Sequence, residues 1–455
     1  MQPILTVREM QAVDVAAQAT TPIDVLVERA ATAVAVQALD LLGGAYARRV
    51  VVVAGRGNNG ADGRSAGALL ARRGARVTVV EAGSTDRLPA ADLVIDAAYG
   101  TGFRGAYTAP AVAPGTPVLA VDIPSGVVGD TGEASGHPMA AVRTVTFAAL
   151  KPGLVEGDGA RLAGTVVVAD IGLDPGVPRA HRVEDADVAA LVPARDRDDN
   201  KWRSAVLVVA GSPGMTGAAG LAAVAAYRAG AGMVRLGVPG AGLGELPASE
   251  AVGVALPASG WATTALEVAA RCRAVVVGPG LGRDPGTAAD VRRLVEGAAV
   301  PVVVDADGLF ALGVLDGRPL RADGGVVLTP HDGEFRRLLD GPPGPDRLDA
   351  ARRLATAAGA VGLVKGATTV VAAPDGRVLV VTAGSPRLAT AGTGDVLSGV
   401  LGAFVARGVA PFEAAALAAH VHGRAAGRGP AEGLVAGDLP DLVSSVLSDL
   451  RAGRG

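Results

Sequence analysis

Several residue types are scarce in this chain of 455 residues, and each scarcity excludes a class of structure or site. The single cysteine, Cys272, excludes an internal disulfide and any metal site built from several cysteines. Aromatic residues make up only 3% of the chain, so alanine, valine and glycine must provide most of the packing. Such small side chains favour close contact between helices and a sheet.

The sequence also lacks an excess of charge and a long apolar segment. Its formal net charge of −3 at pH 7 argues against a nucleic-acid or polybasic membrane surface. Residues 218–232 are apolar but alanine-rich and interrupted by Arg228, so we interpret them as a buried helix rather than a membrane span. The N-terminal residues show no basic region followed by an apolar core, so we expect no signal peptide and a cytoplasmic location.

Lysine is almost absent. Only Lys151, Lys201 and Lys365 occur among the 42 basic residues, so arginine is the default cation of this chain. Each lysine is therefore a candidate for a position that requires a compact ammonium group, with chance survival as the alternative.

The first half alternates short apolar runs with glycine-rich loops. The run Arg49–Ala54 has the composition of a buried parallel strand; a loop, a helix and a second strand, Arg76–Glu81, follow it. This order predicts a βαβ unit with a right-handed crossover. The loop and its flanks match the dinucleotide fingerprint at Gly55, Gly57 and Gly60, and Glu81 lies where a ribose-binding acid belongs.

Other residues of this loop are unusual for that fingerprint. Asn58, Asn59 and Asp62 supply amides and a carboxylate where small or apolar residues are the norm, which suggests polar recognition or cation coordination. Two further predicted strands, residues 92–97 and 118–121, also end in polar, glycine-containing loops. Any one aspartate there can be a helix cap or turn former, but three such loops at one sheet edge favour a ligand site.

Residues 172–200 are rich in proline and charge, and there we place the boundary between domains of residues 1–192 and 193–455. The second half repeats the strand-and-glycine-loop pattern. Its runs Val370–Ala373 and Val378–Thr382, split by a Pro-Asp-Gly turn, predict a hairpin. Both domains are predicted to be α/β with three layers.

Residues 389–399 read Ala-Thr-Ala-Gly-Thr-Gly-Asp-Val-Leu-Ser-Gly and open a helix. Such a loop presents unpaired N–H groups and the positive end of the helix dipole, which is an anion site. Asp395 at its mouth suggests phosphoryl transfer, with this carboxylate as the base for an attacking hydroxyl. From this segment alone, a glycine-rich turn with Asp395 as a helix N-cap is equally acceptable.

Other groups of residues bear on whether residues 389–399 form an anion site or a simple capped turn. Lys365-Gly366 and Gly392–Gly394 are natural cradles for the two ends of a nucleotide phosphate chain. The Walker pattern is absent, which excludes a P-loop enzyme. His331 follows a strand and either contacts substrate or lies at the surface, and the spacing of His420 and His422 does not favour a metal pair.

These motifs together resemble a known family. The first half resembles NAD(P)H-hydrate epimerases, and the second half resembles ADP-dependent NAD(P)H-hydrate dehydratases of ribokinase-like fold; the pairing resembles the bifunctional repair enzymes. The motifs that carry the resemblance are residues 5–10, 57–63, 96–102 and 122–126 in the first half, and 278–282, 329–335, 365–369 and 389–399 in the second.

The resemblance implies a Rossmann-like epimerase domain with a potassium site and a ribokinase-like dehydratase domain that uses ADP with magnesium. Potassium would be bound by Asn59, Asp96 and Ser125. Asp122 would contact substrate and handle the proton, and Asp395 would be the base of the dehydratase. We expect NAD(P)H hydrate and ADP as ligands, a homo-oligomer, and neither nucleic acid nor membrane as partner.

The remaining implied contacts are as follows. The hydrate would be held in the first half by Asn58, Asn59, Gly60, Ala61, Asp62, Gly100, Thr101, Gly102, Phe103, Arg104, Gly105, Ala106 and Asp122, and in the second by Ala218, Gly280, Gly282, His331 and Asp395; the nucleotide would be held by Lys365, Gly366, Ala367, Thr368, Thr369 and Gly394.

The chain departs from the family pattern at Ala61, Met215 and Arg387 and at Asn200-Lys201-Trp202. The alternative function is a ribokinase-like small-molecule kinase that shares Asp395 but releases a stable phosphate ester, with a non-catalytic ligand-binding module as its first half.

Overall fold

Each half of the chain folds around its own sheet, which is parallel in the first half and mostly parallel in the second. The computed structural model describes residues 1–247 and 249–454. The chain divides into one unit of residues Gln2–Ala180 and another that comprises Met1 and the chain from His181 onward. The division between residues 180 and 181 falls within the proline-rich and charged segment of residues 172–200.

The first unit contains, in chain order, β1 (Gln2–Ile4), α1 (Val7–Gln18), α2 (Ile23–Leu42), β2 (Arg49–Ala54), α3 (Asn58–Arg72), β3 (Arg76–Glu81), β4 (Leu93–Ala97), β5 (Tyr107–Thr108), β6 (Val118–Val121), β7 (Gly136–His137), β8 (Arg143–Phe147), α4 (Pro152–Val155), α5 (Gly157–Leu162) and β9 (Thr165–Ala169). Its sheet is parallel with the order β3-β2-β4-β6-β8-β9.

This strand order creates a topological switch point. From β2 the chain passes to β3 on one side and then returns to β4 on the other side. The connections therefore diverge beyond the carboxyl ends of β2 and β4, and a crevice opens there. The glycine-rich loop of residues 55–57 lies at this crevice, so topology alone explains why the polar loops converge.

Strand β10 (Ala180–Arg182) lies where the two units meet in sequence. The second unit continues with α6 (Asp185–Leu191), β11 (Ala205–Val209), α7 (Gly217–Arg228), β12 (Met233–Gly237), β13 (Val252–Val254), α8 (Ala262–Ala269), β14 (Ala274–Val277), α9 (Pro285–Gly297), β15 (Val302–Val304), α10 (Asp307–Leu312), β16 (Val326–Leu328), α11 (Asp332–Leu339), α12 (Arg347–Ala358), β17 (Val361–Val364), β18 (Thr369–Ala372), β19 (Val378–Val381), α13 (Thr393–Ala406), α14 (Pro411–Arg428) and α15 (Leu439–Arg451).

Most of the second sheet is parallel, in the order β17-β16-β15-β14-β11-β12-β13. Strands β17, β18 and β19 pair antiparallel, and the register Ala372–Val378 closes the hairpin that the sequence predicted. Both units are α/β folds, as predicted. No helix in the described part of the chain is long and apolar enough to span a membrane.

Helix α13 is the central helix of the second unit, and small residues allow its close approach. A Cβ added to Gly399 would lie 2.2 Å from the carbonyl oxygen of Ala222 in α7, and one added to Gly402 would lie 2.4 Å from Val276 in β14. Any larger residue would separate the helix from its neighbours. This packing fixes the start of α13, where Asp395 lies.

Candidate active sites

A cavity of about 1190 Å³ lies over the carboxyl edge of the first sheet. Many of the residues predicted to hold substrate line it: Asn58, Asn59, Asp62, Gly100, Thr101, Gly102, Phe103, Arg104 and Asp122. Lys151, Tyr99 and Glu81, which the sequence had singled out for other reasons, line it too, and so does Asp14, which the sequence analysis had not considered. The cavity is therefore a polar crevice of the size of a large ligand.

Asp122 follows β6 in a conformation that non-glycine residues rarely adopt. Its φ of 67° places it in the left-handed region, and such backbone strain is typical of functional sites. One carboxylate oxygen accepts from the Lys151 ammonium at 2.8 Å, and the other accepts from the Thr101 N–H at 3.0 Å. Burial opposes ionisation, but Lys151 and Thr101 hold the pKa of Asp122 below its usual value.

Lys151 is buried, with 1% of its side chain exposed. Besides Asp122, it donates to Thr146 Oγ1 at 2.7 Å and to the Phe147 carbonyl at 3.1 Å. The scarcity of lysine had made this position a candidate for one that requires a compact ammonium group. Sequence offered no way to assign its partner, because Asp122 and Lys151 belong to different strand ends.

Two further carboxyl groups face the same cavity. Burial, together with the charges of Asp122 and Asp14, raises the pKa of Asp62 to about 8. Burial also raises the pKa of Asp14 on α1, while Lys151 opposes that rise. At neutral pH the cavity therefore contains the ionised carboxylate of Asp122, which can accept a proton, and the protonated carboxyl group of Asp62, which can donate one.

Asp96 and Ser125 are buried together beneath the cavity. Ser125 donates two hydrogen bonds to Asp96, one from Oγ at 2.6 Å and one from its N–H at 2.9 Å, each to a different carboxylate oxygen. These bonds lower the pKa of Asp96, but burial outweighs them and raises it. Within the described residues, the buried side-chain amide of Asn59 has no hydrogen-bond partner on either atom. The unsatisfied amide oxygen of Asn59 and the buried oxygens of Asp96 and Ser125 are all of the ligand type that potassium takes in proteins.

Other predicted residues of this unit lie outside the main cavity lining. A Cβ on Gly60 would lie 1.9 Å from the Gly55 carbonyl oxygen, so this glycine allows α3 to pack on the loop. Ala61 begins the helical hydrogen bonding, with its N–H donating to Gly57. Gly105 and Ala106 line a smaller neighbouring cavity of about 390 Å³ with Phe103 and Arg104.

In the second unit, an ion pair between a partly exposed lysine and a buried aspartate lies under the start of α13. Lys365 Nζ is 2.6 Å from Asp305 Oδ1, and the carboxylate also accepts from Thr329 Oγ1 and Ser398 Oγ, both at 2.7 Å. Burial opposes the charge of Asp305, but Lys365 holds its pKa below the usual value. A Cβ on Gly394 would lie 3.6 Å from Lys365 Nζ and 3.8 Å from Asp305 Oδ2.

Asp395 lies within the first turn of α13 and is not its N-cap. Gly392 is the N-cap, with φ 89° and no side-chain capping bond, so Asp395 occupies the third helical position. The alternative that Asp395 serves as the helix N-cap is therefore wrong. Burial, with the charges of Asp305 and Asp307 and against that of Lys365, raises the pKa of Asp395 to about 6. Such a value suits a general base near neutral pH.

A buried histidine contacts the same loop. Burial lowers the pKa of His422 to about 4, and its imidazole forms a hydrogen bond with the main chain of Thr393. A neutral imidazole at this place holds the loop without adding charge near Lys365. The other histidine of the sequence pair, His420, forms a 2.7 Å contact with Asp185.

Ala218, the second residue of α7, lies close to the loop that contains Gly280 and Gly282. A Cβ on Gly280 would be 3.2 Å from Cβ of Ala218, and the Gly282 N–H donates to Asp307 Oδ2 at 3.1 Å. His331 has a structural role that sequence had not indicated. It is the N-cap of α11, and its Nδ1 accepts from the Gly333 N–H at 2.9 Å.

Residues 365–368 form the turn between β17 and β18, and Thr369 is the first residue of β18. Arg347 fixes this turn, since it donates to the Lys365 carbonyl at 2.8 Å and pairs with Asp332 at 3.0 Å. The departure at Arg387 also has a structural reason. Its guanidinium donates to the carbonyls of Ala426, Gly427 and Gly429 and so caps the C-terminus of α14.

Comparison with known proteins matches both units to families. A family model described as NAD(P)H-hydrate dehydratase matches residues 206–448, and one described as YjeF-related protein N-terminus matches residues 23–88 and 80–153. A bifunctional NAD(P)H-hydrate repair enzyme from Salinibacter ruber is 39% identical over 532 residues, which cover 100% of this chain and 97% of the relative. The chain belongs to the bifunctional NAD(P)H-hydrate repair enzyme family.

Other members and solved structures agree. A repair enzyme of this name from Moorella thermoacetica is 37% identical over 89% of this chain and 88% of its own. An ADP/ATP-dependent NAD(P)H-hydrate dehydratase from Bacillus subtilis, crystallised with ATP and Mg²⁺, matches with a TM-score of 0.50 and 29% identity, covering 59% of this chain and 97% of that one. A ribokinase-like superfamily protein from Enterococcus faecalis matches with a TM-score of 0.52 at 21% identity, covering 61% and 96%, and supports the fold alone.

Proposed function

We propose that this protein repairs hydrated NADH and NADPH. The epimerase domain, which we assign to residues 1–192 and which contains the first unit, interconverts the R and S epimers of the hydrate. The dehydratase domain, which we assign to residues 193–455 of the second unit, dehydrates the S epimer at the expense of ADP, and releases NAD(P)H, AMP and phosphate. The observation that carries the proposal is the position of Asp395, a carboxyl with a pKa of about 6 at the mouth of a glycine-rich helix start.

In the second unit, Asp395 takes the proton from the ring hydroxyl of the hydrate. The hydroxyl oxygen then attacks the terminal phosphorus of ADP, and AMP leaves. The first-turn N–H groups at Gly392–Gly394 stabilise the charge on the transferred group. The ring nitrogen then expels phosphate, and loss of a proton from the adjacent ring carbon restores the double bond.

The other predicted residues of this unit bind rather than react. Ala218, the neighbouring loop with Gly280 and Gly282, and His331 contact the hydrate. Residues 365–369 and Gly394 hold the nucleotide. Lys365 is held by Asp305 close to Gly394, and we propose that its ammonium group attracts the nucleotide phosphates from beneath the start of α13. Magnesium would arrive bound to the nucleotide phosphates and would offset their charge.

In the first unit, Asp122 is the proposed proton-handling group, because Lys151 keeps it ionised. Asp62, with its pKa of about 8, supplies a donor on the same cavity. The loops of residues 58–62 and 100–106 bind the hydrate. Asn59, Asp96 and Ser125 would bind potassium, which would supply a fixed positive charge next to the ligand.

The test is incubation of the full-length protein with racemic NADH hydrate, with and without ADP. We expect complete recovery of NADH absorbance with ADP, formation of AMP, and no recovery without ADP. Recovery that stops at half would show that the epimerase is inactive. A persistent phosphate ester in place of NADH would show the kinase alternative to be correct.

A further inference from the structure

One end of the first unit's cavity has no part in the chemistry proposed above. Arg56, Glu81 and Ala82 line the cavity together with Asp122 and Lys151. Glu81 is the last residue of β3, and its register partner Ala54 immediately precedes the glycine-rich loop. Ala54 also pairs with Ala97 at the end of β4. Glu81 therefore lies on the opposite side of the loop from the reacting end.

The distance between these ends suits a dinucleotide. Strands β3 and β6, which end next to Glu81 and Asp122, are separated by β2 and β4. Three strand spacings amount to about 14 Å. Between them, α3 begins after Gly57, whose backbone is extended and which has no capping side chain. The first-turn N–H groups of α3 can bind the pyrophosphate, with the hydrated ring toward Asp122 and the adenosine toward Glu81.

The Glu81 carboxylate is held by an arginine that also binds the loop. Arg64 Nη2 donates to both oxygens of Glu81, at 2.7 and 2.8 Å, and Arg64 Nη1 donates to the Gly55 carbonyl at 2.7 Å. The Glu81 side chain is still 58% exposed. An ionised carboxylate has about four acceptor positions, so Glu81 can accept from ribose hydroxyls while it remains paired.

We propose that Glu81, held by Arg64, makes the first unit select a dinucleotide with a free 2′-hydroxyl, so that NADH hydrate is its preferred substrate over NADPH hydrate. The identity of the substrate rests on the proposed epimerase function. A 2′-phosphate at this place would meet the Glu81 carboxylate, and like charges repel at such range. Arg64 cannot offset the repulsion fully, because its guanidinium is already engaged by Glu81 and Gly55.

The kinetic test compares NADH hydrate with NADPH hydrate in the epimerase reaction. For the wild type, we expect kcat/KM to be about tenfold higher for NADH hydrate. Glu81→Gln keeps the shape and an acceptor but removes the charge and releases Arg64. In this variant KM for NADPH hydrate should fall until the preference is lost or reversed, with kcat unchanged because the reacting ring is distant.

Two further variants act as controls. Arg64→Gln leaves the carboxylate without its partner and should increase the discrimination against NADPH hydrate. Glu133→Gln removes an exposed carboxylate of the same unit that does not line the cavity, and should leave the preference unchanged. A wild-type preference for NADPH hydrate, or equal preference ratios in the wild type and Glu81→Gln, would overturn the proposal.

A binding measurement separates this proposal from the epimerase function. Calorimetric titration of the full-length protein with ADP-ribose and with 2′-phospho-ADP-ribose, at saturating ADP, needs no turnover. Tighter binding of ADP-ribose, lost in Glu81→Gln, would support the selection even if no epimerase activity were found. Equal affinities in both proteins would reject the selection even if the epimerase were active.

Discussion

The ammonium group of Lys365 lies 2.6 Å from Asp305 and directly beneath Gly394, while in the first unit the ammonium group of Lys151 lies 2.8 Å from Asp122. Two of the three lysines of the chain thus each hold an aspartate at a proposed site. The larger, planar guanidinium of arginine cannot replace a compact ammonium in such an enclosed position. This explains why lysine persists there in an arginine-rich protein.

Replacement of Lys365 by methionine should abolish the ADP-dependent dehydration and lower the free energy of unfolding by about 3–5 kcal/mol, because Asp305 would stay buried without its counter-charge. Turnover assays and denaturant titration measure the two effects. Lys201→Met is the matched control, since Lys201 is exposed, and it should behave as the wild type. Normal turnover in Lys365→Met would contradict the role of the ion pair.

Asp395→Asn should reduce kcat of dehydration by at least about 10²-fold, the usual contribution of a general base, while ADP still binds. Steady-state kinetics and calorimetry with ADP check this expectation. Epimerase activity in the same protein serves as the internal control for folding. Loss of ADP binding with normal turnover at saturation would show that Asp395 binds nucleotide rather than acting as the base.

The dehydration rate should depend on pH through Asp395. Because its pKa is about 6, kcat/KM should fall about tenfold per pH unit below 6 and level off above 7. The folded protein binds this proton more tightly than the unfolded chain, whose usual value is 3.8. Ionisation of Asp395 therefore costs stability as pH rises from about 4 through 6, by up to roughly 3 kcal/mol.

The same linkage predicts a stability gain in Asp395→Asn. The variant should unfold at a higher temperature than the wild type at pH 8, and the difference should disappear near pH 4, where both proteins carry a neutral group. Thermal unfolding at the two pH values measures this. An equal difference at both pH values would mean that burial of the charge is not its cause.

Asp122→Asn should slow interconversion of the hydrate epimers by at least about 10²-fold and leave the dehydration of pure S hydrate unchanged. The amide cannot take up a proton, and it removes the partner of the buried Lys151 ammonium. Epimer ratios followed by chromatography give the rate. Asp86→Asn, at an exposed position of the same unit, is the control. Wild-type interconversion in Asp122→Asn would reject this residue as the proton-handling group.

Potassium should stabilise the first unit. A ligand that binds the folded state raises the unfolding temperature in a concentration-dependent way, so potassium chloride should raise it more than sodium chloride at equal ionic strength. Asn59→Ala removes the unsatisfied amide and should abolish the difference between the salts. Thermal unfolding is the readout. A potassium effect that is the same in Asn59→Ala would place the cation elsewhere.

Much of the fold was predictable because buried parallel strands are continuous apolar runs with sharp ends. Strands Arg49–Ala54 and Arg76–Glu81 have the predicted bounds. The short strand Val252–Val254 and helix Asp185–Leu191 were missed. Both segments are too short for a clear hydrophobic periodicity in the sequence, so their secondary structure depends on tertiary contacts.

Residues 389–399 show the same division for the site. Sequence by itself determined a glycine-rich helix start with Asp395 in its first turn, and the scarcity of lysine marked Lys151 and Lys365. Only the tertiary structure decided that Asp395 is not the helix cap, that its pKa is raised to about 6, and which aspartates the lysines hold. The physical reason is that composition and spacing specify local backbone geometry, whereas burial and charge pairing depend on which strand ends the sheet brings together.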